Sequence, residues 1–225
     1  MPERKLIVFD FDGTLVDSQF IFDVALEDFS SGKSLSWDIK KMAVGYVDPL
    51  KYDLGWGVAL KDQPAIFHDF NIFMNERFRT DPRYMPVLFE HADTVLQELK
   101  EDYDLCIITA RARESLLATL AYYNLSELFP NYRSLCCATD RGYPIKPMPD
   151  AVHCLLNDTK HLIENIVIVG DTTADIGMAN AAGAKSIAAL WGVHPAEKLQ
   201  SANPTVMLDS ITGLPDAIRR VFMHD

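Results

Sequence analysis

Two aspartates near the start of the chain, Asp10 and Asp12, have the residue type and the spacing to carry out chemistry together. They follow the apolar run Leu6–Phe9, which is typical of a strand buried on both faces of a parallel sheet. Side chains two positions apart on an extended backbone point to the same side, so both carboxylates face one point while Phe11 faces away. Such a pair could bind a hard cation, act as nucleophile, or act as general acid and base.

Four further polar residues are candidates. Thr109 and Asp171 each come at the end of another apolar run, Asp175 lies four residues after Asp171, and Lys146 stands in the proline-rich loop KPMP. A hydroxyl at the end of a strand can donate to a phosphate oxygen, and a fixed cation near carboxylates can neutralise a phosphoryl group. Structural explanations exist for each: Thr109 as a helix cap, Lys146 as a solvated side chain, and Asp175 in a capping box with Thr172. A capping box would account for Asp175 but not for Asp171 at the strand end.

The stretch DFDGTLVDS, which begins at Asp10, resembles the first signature of the haloacid dehalogenase superfamily in its phosphatase branch. The strand that ends in Thr109 resembles the second motif of that superfamily, and KPMP, which begins at Lys146, resembles its lysine motif. GDTTAD, which ends at Asp175, resembles its metal motif. The resemblance implies that Asp10 is the nucleophile that accepts the phosphoryl group and that Asp12 is the general acid and base. Like-charge neighbours would raise the pKa of Asp12, as the acid role requires.

The phosphoryl group is expected to bind to four residues. Lys146 and the Thr109 hydroxyl would hold its oxygens, together with the backbone N–H groups that follow Thr109, beginning at Ala110. Gly13, which lets the chain turn sharply out of the first strand, completes the expected phosphate-binding set.

Four carboxylates that converge at one edge of a sheet need cations, because two carboxylates 4 Å apart repel by about 4 kcal/mol at an effective dielectric near 20. The resemblance implies Mg²⁺ as the cofactor, and an oxygen-only ligand set suits that ion. The expected metal site comprises the Asp10 carboxylate, the Asp12 backbone carbonyl and Asp171. Asp175 is expected to hold either a metal-bound water or Lys146.

The elements that must position these residues form an α/β pattern. Strand-like runs at 105–109, 135–138, 166–169, 186–190 and 205–208 alternate with helical patterns, which predicts a doubly wound parallel sheet. Residues 17–86 read instead as helical and aromatic, so we expect a catalytic core at 1–16 and 87–225 with an inserted α-helical cap at 17–86. The resemblance implies the strand order five-four-one-two-three.

Composition limits the partners. The net charge of −11 argues against nucleic acid as a partner. No apolar run is long enough to cross a membrane, and Met1–Lys5 leads directly into the first strand, so we expect neither a membrane span nor a signal peptide. The cysteines form no C-x-x-C pair, which favours a reduced, cytoplasmic protein. A monomer or homodimer acting on a small phosphorylated metabolite is the expected state.

The sequence thus predicts an Mg²⁺-dependent phosphatase for a small phosphate monoester, with phosphoglycolate phosphatase-like enzymes as the closest resemblance. A sugar-phosphate mutase or another phosphotransferase is an alternative, and a catalytically silent binding protein is a less favoured one. The roles of two basic residues stay open. Arg111 and Lys41, which precedes Gly45 in the cap, could each contact substrate, but both are expected to be solvated.

Overall fold

The computed structural model describes residues 4–31, 63–129, 135–137 and 146–223. The strands in these ranges are β1 (Lys5–Phe9), β2 (Val16–Asp17), β3 (Val87–Leu88), β4 (Tyr103–Thr109), β5 (Leu135–Cys137), β6 (Ile166–Gly170), β7 (Lys185–Ala189) and β8 (Val206–Leu208). The helices are α1 (Gln19–Ser30), α2 (Gln63–Thr80), α3 (Ala92–Asp102), α4 (Arg113–Tyr122), α5 (Asp150–Thr159), α6 (Thr173–Ala182), α7 (Ala196–Ser201) and α8 (Leu214–Met223). Within the described ranges, no helix is long and apolar enough to span a membrane.

The main sheet is parallel and runs in the order β5-β4-β1-β6-β7-β8. The prediction of a doubly wound parallel sheet is confirmed. The implied order five-four-one-two-three is confirmed as well, because the five strands that it numbers along the chain are β1, β4, β5, β6 and β7. The sixth strand, β8, extends the sheet beyond β7 at one edge. β1 therefore lies in the interior of the sheet, between β4 and β6, with both of its edges hydrogen-bonded.

The apolar run of β1 is unbroken because both faces of the sheet are covered. Ile7 and Phe9 belong to the core on the side of α3, α4 and α8, while Leu6 and Val8 belong to the core on the side of α5 and α6. All four side chains are fully buried. Burying large apolar side chains contributes roughly 1.5–3 kcal/mol each, so this central strand anchors the edge where the polar residues stand.

The chain divides into two compact units, one formed by Met1–Asp17 and Val87–Asp225 and the other by Ser18–Pro86. In the first unit β2 and β3 pair antiparallel, Val16 with Leu88 and Asp17 with Val87, so the chain leaves and re-enters this unit through one two-stranded ribbon.

The second unit is held by aromatic packing in its described part. Phe29 of α1 lies 5.4 Å from Phe70 and 5.4 Å from Phe73 of α2, measured between ring centroids, and Tyr84 is fully buried beside them. The aromatic stripes of this segment thus form core. Lys41 and Gly45 lie outside the described residues.

Candidate active site

The carboxyl ends of β4, β1 and β6 lie side by side, since Phe9 is in register with Ile107 on one side and with Val169 on the other. The backbone continues this alignment one step further, where the Asp10 N–H donates to the Val169 carbonyl at 2.8 Å. Residues just beyond these strands, which include Asp10 and Asp171, therefore gather at one edge of the sheet. This is the usual ligand-binding edge of a parallel sheet.

Lys146 joins two of the carboxylates directly. Its ammonium donates to Asp10 Oδ1 at 2.7 Å and to Asp175 Oδ1 at 2.6 Å, and the three side chains are nearly buried. Burial alone would lower the pKa of Lys146, but the two carboxylates outweigh it and the pKa is raised. Lys146 is thus a cation within the cluster, and the alternative of a solvated lysine does not apply.

The carboxylates themselves resist ionisation. Burial, followed by the charge of Asp175, raises the pKa of Asp10 well above its ordinary value despite the neighbouring Lys146. The same causes raise the pKa of Asp171 to about 7, even though two hydrogen bonds lower it. When Asp10, Asp171 and Asp175 are all ionised, they carry more negative charge than Lys146 balances, which is the condition under which a cation binds.

Asp175 both caps α6 and contacts Lys146, and the sequence left each of these roles open. Its Oδ2 accepts from the Thr172 N–H at 3.0 Å, and the Thr172 hydroxyl accepts from the Asp175 N–H, so the capping box at the start of α6 is present. Its Oδ1 accepts from Lys146, which is one of the two contacts expected for it. A carboxylate oxygen that caps the helix leaves the other oxygen for the site.

Asp171 is held from two directions by the first unit. The Thr14 hydroxyl donates to Oδ1 at 2.8 Å, and the Val193 N–H donates to Oδ2 at 2.9 Å. Gly13 makes this possible, because its φ is +81° and a Cβ there would lie 2.2 Å from Asp171 Oδ2. The loop that carries Val193 is fixed in turn by Trp191, whose indole N–H donates to the Thr14 carbonyl at 3.0 Å.

The structure corrects the expectation for Arg111, which is buried rather than solvated. Its Nε donates to Asp12 Oδ2 at 3.0 Å, and its second guanidinium nitrogen donates to Asp12 Oδ1. The third nitrogen donates to the Ser115 hydroxyl at 2.8 Å, and the guanidinium lies 5.6 Å from the centre of the Phe11 ring. The side chain of Asp12 therefore has a cation against it, and the like-charge argument made for this residue does not describe its surroundings.

The second predicted phosphate-binding element lies at the end of β4. Thr109 is buried, and its Oγ1 accepts from the Arg111 N–H at 3.1 Å, which leaves its own O–H to donate. Ala110 is exposed just beyond the strand. Thr109 ends the strand adjacent to β1 and Ala110 follows it, so both stand at the same edge of the sheet as Asp10.

Three carboxylates fit a divalent metal. Asp10, Asp171 and Asp175 each offer an oxygen, and these oxygens all lie within 4.8 Å of one another. The Asp12 carboxylate is not part of this cluster, and the role of its backbone carbonyl as a ligand stays a prediction. A site built from oxygen donors with excess negative charge suits Mg²⁺.

The sequence pattern of the haloacid dehalogenase-like hydrolases matches this chain over residues 7–189. The chain belongs to this family. The fold agrees, since a haloacid dehalogenase-like hydrolase from Streptococcus pneumoniae superposes with a TM-score of 0.80 at 20% identity, covering 97% of this chain and 100% of the other. The predictions of the family and of a hydrolase are confirmed.

Among similar proteins is the phosphoglycolate phosphatase of Aquifex aeolicus, which is 30% identical over 195 residues, covering 84% of this chain and 85% of the relative. The phosphoglycolate phosphatase of Aliivibrio fischeri is 27% identical over 217 residues, covering 91% and 92%. The pyrophosphatase PpaX of Bacillus velezensis is 24% identical over 221 residues, covering 95% and 97%.

Sequence reasoning assigned no role to three groups that contact the site of this haloacid dehalogenase-like chain: Thr14, the loop at Trp191–Val193 and Ser115. Thr14 follows the aspartate pair within DFDGT, so it carried a motif signal, whereas Trp191 lies in the stretch ALWG at 189–192, outside the quoted motifs. Ser115 carried none, because a serine on a helix becomes informative only when its neighbour Arg111 is known to be buried.

Proposed function

We propose that this protein is an Mg²⁺-dependent phosphatase that hydrolyses a small phosphate monoester through an aspartyl-phosphate on Asp10. The observation that carries the proposal is the buried group in which Lys146 holds Asp10 beside Asp171 and Asp175. This group combines a carboxylate nucleophile, a fixed cation and an oxygen-rich metal site within one edge of the sheet. Relatives named phosphoglycolate phosphatase and pyrophosphatase support a phosphate-containing substrate.

In the first half-reaction, the Asp10 carboxylate attacks the phosphorus atom in line with the ester oxygen. A phosphorus–oxygen bond to Asp10 forms, the bond to the ester oxygen breaks, and Asp12 gives its proton to the departing alcohol. Thr109 and Lys146 hold the phosphoryl oxygens, with the Ala110 N–H as a further donor.

In the second half-reaction, water attacks the same phosphorus atom and Asp12 takes its proton. The bond to Asp10 breaks, inorganic phosphate leaves, and Asp10 is again a carboxylate. Asp12 thus begins and ends the cycle with a proton, so the net reaction consumes only one water.

The residues that would hold Mg²⁺ are the Asp10 carboxylate, the Asp12 backbone carbonyl and Asp171, with Asp175 behind them on Lys146. When bound, the ion neutralises negative charge on the phosphoryl group and on the carboxylates that surround it. Asp10 must be ionised to act as nucleophile, and burial works against its ionisation. Lys146 stabilises that anion directly with its 2.7 Å contact.

The second unit, Ser18–Pro86, is proposed to be the cap that selects the substrate, and a phosphoglycolate-like ester is the proposed substrate type. A small phosphorylated metabolite also suits a protein of net charge −11, provided a cation neutralises the site.

Two near-isosteric variants test the roles of the aspartate pair. Asp10→Asn removes the nucleophile, so turnover should vanish and no phosphoenzyme should form. Asp12→Asn keeps the nucleophile but removes the acid and base, which typically contribute about 10²–10⁴-fold. With p-nitrophenyl phosphate, whose leaving group needs no proton, Asp12→Asn should still be phosphorylated slowly.

The measurement is mass spectrometry after a rapid acid quench, with circular dichroism of each variant as the control for folding. One added phosphoryl group on Asp12→Asn and none on Asp10→Asn is the expected result. Phosphate carried by Asp10→Asn, or normal turnover by it, would show that the nucleophile is a different group.

A further inference from the structure

The feature that the proposed mechanism does not use is the ion pair between Arg111 and Asp12. The guanidinium binds both oxygens of one carboxylate, and only 5% of the Arg111 side chain is exposed, compared with 31% of the Asp12 side chain. The exposed partner is thus the one that can reach a reacting molecule. Arg111 lies behind Asp12 and cannot readily reach a substrate itself.

The orientation of Arg111 is itself fixed. Ser115, the third residue of α4, accepts from the guanidinium at 2.8 Å, and the Phe11 ring lies against the guanidinium. An arginine fork that is held at its far side binds a carboxylate in one plane and one direction. Asp12 therefore has a defined direction before any substrate binds.

A carboxylate has about four lone-pair positions on its two oxygens, and the fork needs only one on each. Because 31% of its side chain is exposed, Asp12 can exchange a proton with a reacting oxygen while Arg111 stays bound. With a substrate whose leaving group needs no proton, only the second half-reaction needs Asp12, so the direction of this carboxylate matters most when water attacks the aspartyl-phosphate.

We propose that Arg111 is a positioning residue that holds Asp12 as the base for the second half-reaction, in which water cleaves the aspartyl-phosphate. The proposal rests on the proposed function, because it assigns a residue to one of its two steps. With a substrate whose leaving group needs no proton, removing Arg111 should therefore slow the breakdown of the phosphoenzyme more than its formation.

Arg111→Met tests this prediction, because methionine fills a similar volume without charge. With p-nitrophenyl phosphate, formation of the phosphoenzyme needs no proton from Asp12, so kcat/KM should change less than about threefold. Breakdown needs the base, so kcat should fall at least tenfold and KM should fall with it. Acid-quenched enzyme should carry more phosphate than the unmodified protein does at steady state.

Three further variants complete the experiment. Arg111→Lys keeps the charge without the two-pronged contact and should recover part of kcat, which also guards against failure of Arg111→Met to fold. Arg113→Met, at the first residue of α4, is the matched control and should leave the kinetics unchanged. Asp12→Asn combined with Arg111→Met should lose little more than Asp12→Asn alone, because the two residues act as one unit.

Equal losses in kcat and kcat/KM for Arg111→Met, without added phosphoenzyme, would overturn the proposal, because they would place Arg111 in the first step or in the fold. Fully additive losses in the double variant would overturn it as well. If no protein in the series, Asp12→Asn included, ever carries phosphate, the proposed function itself fails and the role of Arg111 fails with it.

Discussion

Replacing Thr14 with valine would test how the fold prepares the metal site. Valine has nearly the same shape as threonine but cannot donate the hydrogen bond that Asp171 Oδ1 now accepts at 2.8 Å. Asp171 is fully buried, and burial already raises its pKa to about 7, while the Thr14 hydroxyl works in the opposite direction. Loss of the hydroxyl should therefore raise the pKa of Asp171 further.

The size of the effect follows from the hydrogen bond. A hydrogen bond to a charged group contributes about 1.5–3 kcal/mol, and one pKa unit corresponds to about 1.4 kcal/mol, so the pKa of Asp171 should rise by about one to two units. Metal binding requires the ionised carboxylate. At pH 7 the ionised fraction of Asp171 should fall roughly 5- to 50-fold, and the affinity for Mg²⁺ should fall by the same factor.

Calorimetric titration of the protein with MgCl₂ alone measures this affinity without substrate. Thr14→Ser is the matched control, because it keeps the hydroxyl. The deficit of Thr14→Val relative to Thr14→Ser should be about 5- to 50-fold at pH 7 and should shrink to about twofold or less at pH 9, where at least half of Asp171 is ionised in both variants. Equal affinities at pH 7 would refute the reasoning, and an equal deficit at both pH values would show that Thr14 acts through geometry.

Two further predictions concern stability and packing. Because the pKa of Asp171 lies above that of an unfolded chain, the stability that this residue contributes is complete below about pH 4 and is lost as the pH rises through about 7. The raised pKa of Asp10 acts in the same direction. Mg²⁺ should consequently raise Tm more at pH 8 than at pH 5, and an increase independent of pH would contradict this. Gly192→Ala should weaken Mg²⁺ binding and lower kcat at least tenfold, because its Cβ would lie 2.1 Å from the Asp171 Cβ and 2.5 Å from the Gly13 carbonyl. The control is Gly183→Ala, at φ +77° in open space, which should cost about 1 kcal/mol of stability and leave Mg²⁺ affinity intact.

The strands and the main polar residues could be predicted because their signals are local. An apolar run that ends in an acid identifies both the strand and the place where the acid stands, as for Asp10 after β1 and Asp171 after β6. A parallel sheet then brings such strand ends together whatever the loops do. Asp175 illustrates how local signals overlap, because one carboxylate is both the helix cap and the partner of Lys146.

The interpretation of Arg111 failed for the opposite reason. An arginine after a strand is usually solvated, and its burial here depends on Asp12, which lies far away in the sequence. The same holds for Val193, whose N–H contacts Asp171 only because the turn after β7 folds back over the end of β6. Contacts of this kind are decided by tertiary packing, so neither residue type nor spacing reveals them.

The ribbon of β2 and β3 places the two ends of the segment 18–86 side by side. For the polymer chain, that segment is one long loop closed by a pair of hydrogen-bonded strands. The entropy of closing a loop grows only with the logarithm of its length, so doubling the segment would cost the first unit only about 0.6 kcal/mol. A lineage can therefore lengthen, shorten or replace this segment at little thermodynamic cost, while every described residue proposed for the chemistry stays encoded outside it.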